Sequence, residues 1–265
     1  MKSDREQIDE FWRENRDLYN KDENEFYRRK AQFLKNLSDE GSVIATAELI
    51  FRSDRHCLND DEFRFYMDRI SKSYNENPEA FDSGLLYQVG EGVACRGKPD
   101  RQKKDERTLR EALKWLARSM SKDGISCLSS IVSIYKNLPN CDDELFGWCI
   151  WGLEQSVILR ADGYSGVWAI VLSADTIVKM AVNGHSPSQY RLGMMYLKGD
   201  ILKRSDEMAK EWFSRSAEGG YEKAITAMEG YRMDGNFLSL VKRDYLQPDD
   251  YGIKDMPKTY LESWE

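Results

Sequence analysis

The feature that most constrains this chain is a pattern it carries twice. Leu86-Tyr87-Gln88-Val89-Gly90-Glu91-Gly92-Val93 is followed by Glu111-Ala112-Leu113-Lys114-Trp115-Leu116-Ala117-Arg118-Ser119 and then Gly124. Far downstream, Met195-Tyr196-Leu197-Lys198-Gly199-Asp200-Ile201-Leu202 is followed by Met208-Ala209-Lys210-Glu211-Trp212-Phe213-Ser214-Arg215-Ser216 and Gly220. In each copy a Tyr stands three residues before a Gly, an acidic residue follows that Gly, and Ala-x-x-Trp-x-x-Arg-Ser runs to a closing Gly. Such self-similarity marks an array of stacked units, each unable to bury its apolar face alone. On this register Tyr87 lies 28 residues before Trp115 and Tyr196 lies 16 before Trp212, so the first copy holds about 12 extra residues. They fall in the polar stretch from Cys95 to Asp105, and an inter-helix loop absorbs them at modest entropic cost.

The local pattern is helical throughout. From residue 42 onward short stretches with helical apolar spacing alternate with Gly or Asn stops, and no run of period-two alternation calls for a sheet. An all-α fold follows. Gly193, Ala112 and Ala209 let two antiparallel helices approach, Tyr196 and Trp212 fill the gap between them, and Gly220 supplies a left-handed stop. Further closing positions are Asn77, Gly124, Gly163 and Gly184. The 21-residue interval between the last two implies a shortened unit. Residues 1–41 form an amphipathic cap carrying Ile8, Phe11, Trp12, Tyr19, Phe26, Phe33, Leu34 and Leu37, expected as two helices breaking near Asn20-Lys21-Asp22. A partner-binding or dimerising helix is the other reading of that segment. The array covers 42–235. The tail 236–265, with Phe237, Tyr245, Tyr251, Tyr260 and Trp264, is irregular and packs back as a C-terminal cap.

Composition narrows the class of partner. Charged residues make up 32% of the chain and hydrophobic ones 41%, with only 6 prolines, the balance of helices with one apolar and one solvated face. A net charge of -7 disfavours nucleic acid and anionic membranes and favours a basic or neutral protein partner. The N-terminus shows no apolar leader and no window reaches 18 apolar residues, so the expected compartment is the cytoplasm. Cys57, Cys95, Cys127, Cys141 and Cys149 are odd in number without a CxxC pair, which argues against a disulfide framework or a zinc site.

No constellation for chemistry stands out. His56 and His185 are too few and too far apart for most metal or acid-base sites, and neither a catalytic residue, a metal ligand nor a cofactor is expected. His56 and Cys57 are neighbours whose side chains do not face each other on a helix. Gly90-Glu91-Gly92 lacks the strand and third glycine of a dinucleotide site. Asp60-Asp61-Glu62 and Asp142-Asp143-Glu144 each precede an apolar helical segment and read as helix starts. The six Lys and Arg from Arg96 to Arg107 are interleaved with Asp100, Asp105 and Glu106 and read as a solvated loop.

These residues resemble Sel1-like repeats, whose pattern runs roughly A-x-Y-x-L-G-x-x-Y-x-x-G-x-G-V, a loop with Asp, then A-x-x-W-x-x-K-A-A-x-x-G. The best copy runs from Ser188-Gln189-Tyr190-Arg191-Leu192-Gly193 to Gly220-Tyr221; it departs at Asp200-Ile201-Leu202 and at Arg215-Ser216-Ala217. Weaker copies end at Ala161-Asp162-Gly163-Tyr164 and Val182-Asn183-Gly184-His185, where the family pattern commonly has His. The resemblance implies a right-handed α-solenoid of antiparallel helix hairpins related to tetratricopeptide repeats, acting by protein binding without catalysis.

Family members of this kind serve as bacterial regulators, as adaptors in signalling or degradation complexes, and as immunity proteins that block toxins. A short, acidic, degenerate array fits the immunity role better than the adaptor role. Some cysteine-rich relatives bind or hydrolyse β-lactams, but they pair cysteines within each repeat, and Cys95, Cys141 and Cys149 do not fall on such positions. In a stacked array the first helices line one groove, so partner contacts are expected at Asp82 and Gln88, Ser129 and Ser133, Trp168, and Gln189, Arg191 and Met194, with Trp148 and Trp151 beside them. For Trp148, Trp151 and Trp168, packing of a degenerate repeat is the competing account.

Overall fold

The structure is a computed structural model that describes residues 2–53, 55–96, 105–123, 127–159, 164–199 and 201–237, with the backbone alone at 123, 154–159 and 164–168. The described residues form thirteen α-helices and no strand. The chain divides into two compact units, residues 1–134 and 135–265.

The first unit holds α1 (Asp4–Glu14), α2 (Arg16–Lys21), α3 (Glu23–Asp39), α4 (Val43–Phe51), α5 (Asp60–Glu76), α6 (Ser83–Cys95), α7 (Glu106–Asp123) and nearly all of α8 (Leu128–Tyr135). The N-terminal segment makes three helices where two were expected, because the chain breaks at Asn15 as well as at Asp22. Local chemistry fixes the helix starts. Ser3 and Asn59 each close a capping box with the Glu three residues on, and Asp22, Ser42 and Asp82 accept from backbone N–H groups of the first turn. The Asp60-Asp61-Glu62 triplet fills the first turn of α5 as anticipated.

The second unit holds α9 (Asp142–Leu159), α10 (Tyr164–Val182), α11 (Ser186–Lys198), α12 (Asp206–Glu218) and α13 (Glu222–Asp234). Between the closing positions Gly163 and Gly184 stands the single helix α10, so the shortened unit is half a hairpin. Gly124 and Gly163 themselves lie outside the described residues, as do most of the basic insertion and the tail aromatics Tyr245, Tyr251, Tyr260 and Trp264. Phe237 does pack back, 5.0 Å from the Phe213 ring and 4.6 Å from that of Tyr231.

One turn recurs three times. After α3, α10 and α12 the chain takes a positive φ at Gly41, Gly184 and Gly220, of 100°, 96° and 82°. The next N–H then reaches five residues back: Ser42 to the Leu37 carbonyl at 2.9 Å, His185 to Met180 at 3.0 Å, Tyr221 to Ser216 at 3.1 Å. This is a Schellman closure, and it launches α4, α11 and α13 in the same way. Helix α3 thus ends as the second helix of a hairpin does, although it belongs to the segment read as a cap.

The two strong copies superpose through their contacts rather than through the register read from sequence. In the first, Ser119 donates to the Ser83 carbonyl at 2.8 Å; in the second, Ser216 donates to the Ser186 carbonyl at 2.7 Å. A Cβ on Gly90 would lie 2.7 Å from Leu116, and one on Gly193 would lie 2.7 Å from Phe213. Ser83, Tyr87 and Gly90 therefore correspond to Ser186, Tyr190 and Gly193, and Tyr87 does not correspond to Tyr196. Tyr87 lies 28 residues before Trp115 and Tyr190 lies 22 before Trp212, so the insertion is six residues and not about twelve. Gly90-Glu91-Gly92-Val93 matches the Gly-x-Gly-Val of the family pattern but lies within α6, with Gly90, Gly92 and Val93 buried. Trp115 and Trp212 are core residues, each with the next Arg stacked on it at 4.8 and 4.7 Å.

Candidate protein-interaction surface

Within residues 1–134, close backbone approach dictates which side of α6 stays open. Gly90 lies against α7, and a Cβ on Gly92 would sit 2.5 Å from the Ile50 carbonyl of α4. With both flanks buried, the remaining stripe is Gly84, Tyr87, Gln88, Glu91 and Cys95, spaced along one face. On α4 the matching stripe is Ile44, Glu48 and Phe51, and on α8 the exposed residues are Ser129 and Ser133. Helices α4 and α6 are tied across this face. Gln88 Nε2 reaches Glu48 Oε2 at 3.5 Å, the Phe51 and Tyr87 rings lie 6.4 Å apart, and Ser130 of α8 stands near enough to act on the Tyr87 hydroxyl. Burial pushes the Tyr87 phenol above its ordinary value, and the neighbouring Glu91 charge adds to the shift.

Two ion pairs border the face. Lys30 of α3, itself buried, donates to Glu48 Oε1 at 2.8 Å and fixes that carboxylate from below. The pair leaves no signal in the sequence, since its members lie 18 residues apart on different helices. At the other end Asp82 caps α6 by accepting from Leu85 N at 2.7 Å, and Arg5 of α1 approaches it at 3.5 Å.

Of the residues expected at the groove, Gln88 lies on the open stripe of α6, Asp82 caps the start of that helix, and Ser129 and Ser133 are exposed on α8. Those of the second unit divide differently. Trp148 and Trp151 are 1% and 5% exposed and meet edge to face at 6.0 Å, so packing accounts for both. Met194 is fully buried with Tyr190 and Phe213, because α11 is enclosed by its neighbours, and Gln189 turns inward to donate to the Ala181 carbonyl at 3.1 Å. Arg191 is half-buried, and the side chain of Trp168 lies outside the described residues.

An Asp-His-Ser array sits where α11 begins. His185 Nε2 lies 3.1 Å from Asp143 Oδ1 and its Nδ1 lies 2.7 Å from Ser188 Oγ, beside an open depression of about 510 Å³ lined by Asp142, Asn183, Gly184 and Tyr221. The order of atoms suggests nucleophilic catalysis, which needs a hydroxyl that an acyl group can approach. Ser188 has no exposed surface and occupies the third position of α11. The array works as a helix-start brace that joins α9 to α11. The Cys149 thiol is likewise buried and pushed up to about 12 by burial, which leaves it inert near neutrality. Among the described residues no three His, Cys, Asp or Glu side chains gather as a metal site, and no helix is long and apolar enough to cross a membrane.

Paired helices closed by left-handed glycines, with the same serine, glycine and tryptophan contacts in two copies, define a helix-hairpin repeat protein. The Sel1 repeat family model matches residues 186–221, the span of α11, α12 and the turn that follows. The chain therefore carries a Sel1-like repeat over α11 and α12, and such a repeat supports a protein-interaction module in general. Searches of curated proteins and of solved structures returned no match.

Proposed function

We propose that this chain binds another protein through the open face of α4, α6 and α8, and that it neutralises a toxin or effector by doing so. The observation that carries the reading is the pair of contacts between α4 and α6, Gln88 to Glu48 and Tyr87 to Phe51, which holds polar and aromatic groups together in one half-exposed array. Pre-ordered Tyr and Phe side chains lower the entropic cost of association. A net charge of -7 steers a basic partner to the complex.

The test places a photo-cross-linking amino acid at Gln88 and, as a control, at Lys179 on the exposed side of α10. A partner captured from position 88 alone supports the face. Equal capture from both positions, or none from 88, overturns it. The captured protein is then expressed with and without this chain. Growth inhibition relieved by co-expression supports neutralisation, whereas a harmless partner overturns it in favour of an adaptor.

A further inference from the structure

Resting on that face, we propose that its occupant is a basic segment of the partner, with an arginine guanidinium seated between the Glu91 carboxylate and the Tyr87 ring. The charges around the face point to this ligand. Its carboxylates are Glu48, Asp82 and Glu91. Glu48 is already answered by Lys30, and Asp82 receives Arg5 from α1, so a guanidinium of this same chain already rests at one end of the surface. Arg52, the cation nearest the other end, is stacked on Phe51 at 4.7 Å. Glu91 alone makes no ion pair with another described residue, and it stands one helical turn after Tyr87, near enough to act on its hydroxyl. A half-buried carboxylate one helical turn from an aromatic side chain suits a planar cation, which bonds through its edge and stacks through its plane. Lysine offers only a point charge there. An acidic segment would bring like charges together.

The test uses the intact chain and fluorescent peptides of equal length in which arginine, lysine or glutamate occupies the same positions. Fluorescence anisotropy should show binding of the arginine peptide, weaker binding of the lysine peptide and none of the glutamate peptide. Glu91→Gln should weaken the arginine peptide by about tenfold and Tyr87→Leu by about fivefold, each with an unchanged helical spectrum. Glu207→Gln, the same charge change on α12, should leave it unaltered. Equal losses from Glu91→Gln and Glu207→Gln would reduce the effect to net charge and overturn the site, as would equal binding of the glutamate peptide. Should Tyr87→Leu unfold, the two Glu variants still decide. Sequencing the partner segment cross-linked at Gln88 separates the two readings: an acidic segment there refutes the basic ligand and leaves the face standing, while no cross-link at 88 refutes the face itself.

Discussion

Ser216 donates its hydroxyl to the main-chain carbonyl of Ser186 at 2.7 Å, closing the α11–α12 hairpin at the end opposite its loop. Ser119 and Ser83 repeat the bond at 2.8 Å in the α6–α7 hairpin. The Sel1-like pattern has alanine where these serines stand, so the hydroxyl adds a tie that the apolar consensus lacks. Ser216→Ala should cost about 1 kcal/mol, the net worth of a neutral hydrogen bond, and Ser119→Ala a similar amount. Urea unfolding followed by circular dichroism checks both. No loss in either variant would show that the bond is replaced by solvent.

The parts of this structure visible in the sequence are those set by local geometry. Trp115 and Trp212 sit at a helical interval from small residues, and Gly184 and Gly220 follow helical runs, so core and closing turns were legible. The register of Tyr87 is not, because Gly90-Glu91-Gly92-Val93 matches the Gly-x-Gly-Val of the family pattern although it lies inside α6, with Gly90 packed on Leu116. The Gly41 closure escaped notice because α3 is rich in charge and reads as a cap. Of the candidate face, helix order makes Gln88 and Ser133 accessible first-helix positions, but Lys30 beneath Glu48 depends on packing between distant segments. Trp148 and Trp151 misled because an aromatic outside the repeat pattern carries no sign of which way it points.

Three glycines should respond to alanine with different signs. A Cβ at Gly92 meets the Ile50 carbonyl oxygen at 2.5 Å, and a backbone atom cannot swing aside, so α4 and α6 must separate. A Cβ at Gly193 meets the Phe213 ring at 2.7 Å, which yields more readily but is fully buried. Gly230 in α13 has nothing within 4 Å. Gly92→Ala and Gly193→Ala should each destabilise by about 1–3 kcal/mol, Gly92→Ala the more, as overpacked sites do. Gly230→Ala should stabilise by about 0.5–1 kcal/mol through helix propensity. Thermal unfolding of the three variants gives the order, and a destabilising Gly230→Ala would contradict the open surroundings of that site.

Lys35 and Glu62 join α3 to α5 at 2.6 Å, and this pair sets a pH dependence. The Lys35 hydrogen bond holds the Glu62 carboxyl below its ordinary 4.5, and the Asn59 N–H adds to the effect. A carboxyl whose folded value is lowered binds its proton more tightly in the unfolded chain. Its stabilisation is therefore complete above the ordinary value and is lost as the pH falls through the lowered one. Since both side chains are partly exposed, the pair is worth only about 0.5 kcal/mol. Glu62→Gln should be less stable than the parent by that amount at neutral pH and equal to it near pH ~3. A difference that persists in acid would assign the loss to the α5 cap instead.

The five cysteines should report their surroundings by rate. All are free thiols: Cys57 is exposed, Cys95 half-buried, and Cys127, Cys141 and Cys149 buried. The thiolate is the reactive form, so a thiol held up to about 12 presents roughly one part in ten thousand as thiolate near pH ~8. Cys57 stands in a turn with a φ of 52°, where the reagent reaches it directly. With a chromogenic disulfide reagent the native protein should release one equivalent quickly, from Cys57, and a second more slowly, from Cys95. The buried thiols should stay silent until denaturant is added, when the total reaches five. Cys57→Ser should remove the fast phase alone. A denatured total of three or one would reveal disulfides and restore the cysteine-paired enzymatic alternative, while rapid reaction of Cys149 in the native state would show that α9 and α10 open without global unfolding.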